Sequence, residues 1–239
     1  MESRKRSAGR PAKPILNREL IAQRALELVI SNGLDSLTMT QLAKKLGVAA
    51  SALYNHVDNK ADIVLLIQDA LVSQVSVAEM LKLIDNETTL EKALEDWARS
   101  YRAIFAEYPS LIPLIAVTPV SDAPETLRMY NIVAQAITSA GVPAELVMPV
   151  IIAFESFLFG SALDVNAPPT IFDTRDSSVE SAWLEQAVGA SVAAQASDNL
   201  SPQHRQDPVN VYNQHAEAPF RFGLDALIRQ TTGLIAPSK

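Results

Sequence analysis

Between Pro14 and Pro109 the sequence holds no proline, and Gly33 and Gly47 are its only glycines. So long a stretch without helix breakers predicts helices, with the two glycines as punctuation. Each glycine follows a short segment of helical apolar period, where a C-cap or tight turn favours a residue without a Cβ. The first segment, 17–32, offers Asn17 as N-cap and sets Ile21, Ala25, Leu28 and Val29 on one face. The second opens at Thr38, with Gln41 three residues on in the capping-box pattern, and runs through Leu42, Ala43 and Leu46 to Gly47. A third, over 50–56, turns Leu53 and Val57 inward. A fourth starts near Asn59, carries Ile63, Leu66, Ile67, Ala70 and Leu71 at helical spacing, and is expected to continue into the late seventies.

Beyond Glu87 the pattern predicts helices over 90–107, 123–140, 144–165, 178–196 and 216–235. The breaks between them, 109–124, 141–143, 166–177 and 197–215, are rich in Pro, Gly, Asp and Ser. Strand patterns are weak throughout, and no internal repeat or Gly-x-Gly-x-x-Gly run is present. The expected class is all-α, in three parts: a basic arm (1–16), a small head (17–62) and a larger helical body (63–239).

At 239 residues and 48% hydrophobic content the chain can bury a sizeable core. It has no cysteine, which excludes disulfides, thiolate metal sites and cysteine nucleophiles, and fits a reducing cytoplasm. No apolar h-region follows the basic N-terminus, so no secretory signal is read. The longest apolar run, near 147–154, contains Pro149 and falls short of the roughly 20 residues a membrane span requires. A soluble, cytoplasmic chain without a membrane partner is expected. The net charge of −7 hides a division. Residues 1–60 carry ten Lys or Arg against five acids, net +5, which leaves −12 for the remaining 179. A basic head on an acidic body predicts that only the head meets a polyanion.

Residues 37–57, LTMTQLAKKLGVAASALYNHV, give that head its chemistry. Two short helices must cross steeply through a three- or four-residue turn for the second to enter a DNA major groove. Ala43 supplies the small residue at the crossing and Gly47 the sharp turn, while Leu42, Leu46, Leu53 and Val57 fill the inner side. Ala50, Ser51, Tyr54 and Asn55 are left facing outward, flanked by Ala52 and His56. The stretch 37–64, continuing through DNKADIV, is similar to the helix-turn-helix signature of the tetracycline-repressor (TetR) family, most closely over L-Y-x-H-V-x-N-K at 53–60. AEAPFRFGLDALI at 216–228 and SFLFGSALD at 156–164 also resemble that family, so the likeness is strong over 17–75 and patchy but collinear beyond.

The resemblance implies a homodimeric one-component repressor with a helix-turn-helix domain and a helical ligand-binding and dimerisation domain. Thr38 and Thr40 would then touch the phosphate backbone, and Tyr54 and His56 phosphate and base edges. Lys60 would bind a phosphate, helped by the positive end of its helix. Ala50, Ser51, Ala52 and Asn55 take the sequence-reading positions; Asn can bond adenine bidentately and Ala methyls can meet a thymine methyl. Packing against the fourth helix is the other role open to Tyr54 and His56. In the arm, Gly9-Arg10-Pro11 resembles an AT-hook core that lays an arginine in a narrow minor groove. Ala8 stands where that motif has arginine. Arg10 is the candidate contact, and a disordered arm adding salt-dependent affinity is the alternative.

In the body the resemblance implies an effector among the helices and the last two helices pairing with a second subunit, so that two heads read a palindromic operator. Trp183, Ala187, Val188, Phe220, Leu224, Leu227 and Ile228 are the candidate dimer residues, an intramolecular core face being the alternative. Trp97, Tyr101 and Phe105 fall on one helical face, and the first two match positions that line the family's effector pocket. Tyr130, Phe154 and Phe157 are further pocket candidates, with plain core as the competing role for all six. The family's tetracycline-binding members ligate the drug's magnesium through a histidine; the matching position here is Leu114 or Ile115, and a second pocket histidine corresponds to about Ser76. A tetracycline–magnesium inducer is therefore not expected, and an apolar or aromatic one is. No cofactor or metal site is expected: His204 and His215, eleven apart, match no trusted ligand spacing. No nucleophile elbow or phosphate loop points to catalysis. A ligand-independent architectural DNA binder and a family activator are the remaining alternatives.

Overall fold

A computed structural model describes residues 16–168, 170–174, 178–198 and 214–235. Arg10 and His204 lie outside the described residues. The chain divides into two compact units between Ile67 and Gln68.

In the first unit, helices α1 (Arg18–Asn32), α2 (Met39–Leu46) and α3 (Ala50–Tyr54) are set by the punctuation legible in the sequence. Asn17 Oδ1 accepts from Leu20 N at 2.8 Å and caps α1. Gly33, at φ +79°, donates to Val29 O and ends that helix. Thr38 Oγ1 accepts from Gln41 N at 3.2 Å. The reciprocal half of the capping box is not required, because Thr38 N already donates to Ser36 O. Gly47 takes the left-handed conformation, φ +67° and ψ 32°, and turns the chain from α2 toward α3. Helix α3 stops at Tyr54, two residues earlier than the periodicity predicts, where His56 N and Val57 N both close onto Leu53 O. α1 packs on α2 and α2 on α3. Leu42, Leu53 and Val57 are buried as expected, and Leu46 is half-buried.

Helix α4 (Lys60–Val72) ends well short of the late seventies. Ser73 Oγ and Gln74 Nε2 both donate to Ala70 O, at 2.8 and 3.0 Å, so side chains occupy the carbonyl that a continuing helix would use. A separate helix, α5 (Ala78–Ile84), follows. The second unit continues with α6 (Leu90–Ala106), α7 (Ile112–Ile115), α8 (Pro124–Ser139), α9 (Ala144–Val165), α10 (Ala182–Asp198) and α11 (Gln214–Thr232). The 109–124 break thus contains structure. Pro109 and Pro113 open a 3-10 turn and α7 respectively, at first-turn positions where a missing N–H costs little. α9 runs through Pro149, its sixth residue, and by length and composition is long and apolar enough to cross a membrane. The helix has the bounds the periodicity predicts, and its full length, unlike the 147–154 run alone, meets that length requirement.

α5 packs on α6 and α8, α6 on α9 and α11, and α9 on α8 and α11. Asp69, in the last turns of α4, accepts from Thr126 N at 2.8 Å and Thr126 Oγ1 at 3.1 Å, placing a carboxylate at the positive end of α8. Among the described residues Arg102 of α6 is the buried cation of this unit. It meets Glu217 of α11 at 2.8 Å, donates to Ala216 O at 3.2 Å and Ser161 O at 3.5 Å, and lies 4.1 Å over the Phe220 ring. Phe220 in turn stacks on Phe157, with ring planes 4° apart. Gly223 permits this approach, since a Cβ there would collide with the Phe157 ring. Removing one partner of so enclosed a pair strands the other charge. Glu217→Ala is expected to lower stability by about 3 kcal/mol, read as a shift in denaturant midpoint. A shift under about 0.5 kcal/mol, typical of a surface pair, would contradict this.

Candidate functional site

The exposed surface of the first unit is the first candidate. Leu53, fully buried, and Val57 anchor α3, which leaves Ala50, Ser51, Tyr54 and Asn55 exposed. Tyr54 is 50% exposed, so its ring is available rather than spent on packing. Ala52 and His56 are half-buried beside them, and Thr38 and Thr40 are exposed at the start of α2. Thr38 uses its oxygen as an acceptor toward Gln41, so its hydroxyl proton remains for an external acceptor. Lys60 is exposed at the first position of α4. The expected help from that helix end is reduced, however. Asn59 Oδ1 already accepts from Ala61 N at 2.7 Å and Asp62 N at 3.2 Å, and the Asp62 carboxylate accepts from Asp58 N at 2.7 Å. What Lys60 offers an anion is its own ammonium.

The second unit contains an aromatic cluster that brings together five of the six sequence candidates. Trp97 meets Tyr101 edge-on at 5.8 Å and Phe154 at 5.9 Å, and Tyr101 stacks on Phe105 at 4.8 Å. Phe159 closes the cluster edge-on against Tyr101 and Phe105. Tyr130 joins through Glu155, a residue sequence reasoning missed. Both Tyr130 Oη, at 2.6 Å, and Tyr101 Oη, at 3.0 Å, donate to the same oxygen, Glu155 Oε1. Phe157 is not part of this group, because it faces α11 through Phe220. The signal that could have found Glu155 is its isolation: it is the only ionisable residue between Leu146 and Leu163.

Burial pushes the Glu155 carboxyl above its ordinary value, against the two phenol hydrogen bonds that pull it down. Burial likewise raises the Tyr130 and Tyr101 phenols, which stay protonated donors beside the carboxylate. Among the described residues Glu155 forms no ion pair. Trp97 Nε1, wholly buried in the same cluster, has no hydrogen-bond partner. At the positions matched to the family's pocket histidines, Leu114 is half-buried, Ile115 is buried, and Ser76 Oγ donates to Asp96 while Ser76 N donates to Ser100 Oγ.

Residues 84–231 match the family described as tetracyclin repressor-like, C-terminal domain, and residues 21–67 match the bacterial regulatory proteins of the tetR family. The chain belongs to the TetR family. It is 31% identical over 121 residues to an uncharacterised HTH-type transcriptional regulator of Mycobacterium tuberculosis, covering 50% of this chain and 54% of that protein. It is 34% identical over 100 residues to the class D tetracycline repressor protein of Escherichia coli, covering 39% of this chain and 41% of that one. The chain thus spans about half the length of these curated relatives. Its fold is similar to that of the TetR family protein ActR of Streptomyces coelicolor in complex with (S)-DNPA. There the TM-score is 0.67 at 21% identity, over 92% of this chain and 99% of that one.

Of the candidate dimer residues, Phe220 and Leu224 are 1% and 2% exposed in the single chain, so a partner copy can bury almost nothing more of them. The Phe220 ring is spent on Phe157 and the Arg102 guanidinium. Leu227, Ile228 and Val188 are half-buried, Ala187 is exposed, and Trp183 is 85% exposed.

A raised carboxyl value makes folding favour the protonated acid, so Glu155 costs stability as pH rises from about its ordinary value of 4.5 through its folded-state value. Glu155→Gln keeps an acceptor for both phenols and removes the charge. Its melting temperature is expected to match wild type near pH 4 and to exceed it increasingly toward pH 8. A variant less stable than wild type at pH 8 would contradict this.

Proposed function

We propose that this TetR-family chain is a homodimeric, sequence-specific DNA-binding repressor of the cytoplasm, released from a palindromic operator by a small aromatic effector. The observation that carries the DNA-binding half is the outward face of α3, where Ser51, Tyr54 and Asn55 are exposed over a buried Leu53. That face sits in the part of the chain holding +5 of a net −7, which favours approach to a polyanion through the head alone. On this proposal residues 17–62 bind DNA, Arg10 reaches from the 1–16 arm, and 63–239 bind effector and partner. Thr38, Thr40 and Lys60 hold phosphates; Ala50, Ser51, Ala52, Asn55 and His56 face the bases.

The effector half is supported by the aromatic cluster around Trp97 and Tyr101 and by the ligand-bound state of ActR, a protein of similar fold. Neither Leu114 nor Ile115 can ligate a magnesium ion, so the effector differs from a tetracycline–magnesium chelate. The second copy would cover Trp183 on α10 and the exposed apolar residues Met148, Ile152 and Leu163 of α9 with Phe222 of α11. Two heads about one helical turn of DNA apart then read a palindrome. Release works as a population shift: moving a dimer from about 1:99 to 99:1 between states takes roughly 10⁴-fold preference of effector for one state.

The test of DNA contact is salt dependence. Each phosphate contact contributes about −0.9 to the slope of log affinity against log salt. Lys60→Ala is expected to weaken binding to all sequences alike and to flatten the slope by about one per protomer. An unchanged slope would remove Lys60 from the interface.

A further inference from the structure

Taken with the effector pocket proposed above, on which this rests, the polar end of the aromatic cluster identifies the ligand's chemistry. Glu155 is the only ionisable residue between Leu146 and Leu163 of an apolar helix, and among the described residues no cation answers it. Its Oε1 receives two phenol protons while Oε2 receives none of the hydrogen bonds described. A carboxylate that is largely withdrawn from water and lacks a counter-ion favours any ligand able to bring one. Through Tyr101 the carboxylate adjoins Trp97 and, beyond it, Phe154, rings of the kind that bind flat aromatic surface and attract positive charge through their π systems. Trp97 Nε1, fully buried and without a partner, adds an N–H in the same cluster that the protein itself leaves unused.

From this juxtaposition we infer that the effector is an aromatic compound carrying a protonated amine, its nitrogen against Glu155 and its ring among Trp97, Tyr101 and Phe154. An oxygen acceptor on the ring would further satisfy Trp97. The two tyrosines then act as positioning residues: by holding Oε1 they aim Oε2 at the ligand. Anionic aromatics are excluded by the same carboxylate, because two like charges in a poorly solvated site repel strongly.

Three naphthalene probes of similar size and different charge decide the matter: 2-naphthylmethylamine, 2-naphthylmethanol and 2-naphthoate, titrated calorimetrically into the protein at pH 7. The expected order is amine over alcohol by at least about tenfold, with naphthoate weakest. In Glu155→Gln, checked for folding by circular dichroism, amine and alcohol should fall within about twofold of each other. Equal binding of the three by wild type, tightest binding of naphthoate, or an amine preference that survives Glu155→Gln overturns the inference while leaving the pocket itself in place. Absence of binding by all three overturns the inference and the pocket together. Should Glu155→Gln not fold, the wild-type order alone decides.

Discussion

A guanidinium withdrawn from water has to be met on several sides at once, and the body of this protein is arranged around meeting Arg102. Glu217 supplies the charge, Ala216 and Ser161 supply carbonyls, and Phe220 supplies a ring face 4.1 Å away. Those partners come from α9 and α11 while the arginine comes from α6. One side chain therefore fixes the register of three helices. Phe157 stacks on Phe220 and Gly223 clears the space for it, so the aromatic layer follows from the same constraint. With that side of α6 committed to α11, the aromatic cluster is built on the side that faces α9.

The two candidate sites answer opposite demands. On α3 the chain spends Leu53 and Val57 on the core so that small and polar residues stand in water, where a polyanion can reach them. In the aromatic cluster it does the reverse and places one carboxylate among rings, where burial raises its protonation range. A surface of the first kind binds through many weak contacts.

Much of the head was legible because its signals are local. Asn17, Thr38, Gly33 and Gly47 cap and turn helices through bonds spanning three or four residues, which spacing alone reveals. The end of α4 was not, since Ser73 and Gln74 bond Ala70 O through side chains that also suit a helix interior. α7 was hidden because Pro109 and Pro113 read as breakers when they in fact begin turns. In the body, the periodicity of Trp97, Tyr101 and Phe105 marked the face of α6 that is buried in the aromatic cluster. It could not separate Phe154, which joins them, from Phe157, which turns to Phe220, because both lie on the same apolar helix and differ only in tertiary partner. Phe220 and Leu224 lie on an apolar stripe whose period suits a partner interface and an intramolecular core alike, and both are buried within the single chain. Glu155 was visible as an isolated charge, and its meaning depended on two tyrosines 54 and 25 residues away.

The central claim is that one chain couples operator to effector, and a mobility shift tests it most directly. DNA upstream of the protein's own gene would be titrated with protein against competitor DNA, then with aromatic compounds at fixed protein. Saturable retardation that resists unrelated DNA and is released by one compound is the predicted result. Retardation competed equally by any DNA and untouched by every compound would contradict the account and leave a basic head without an operator.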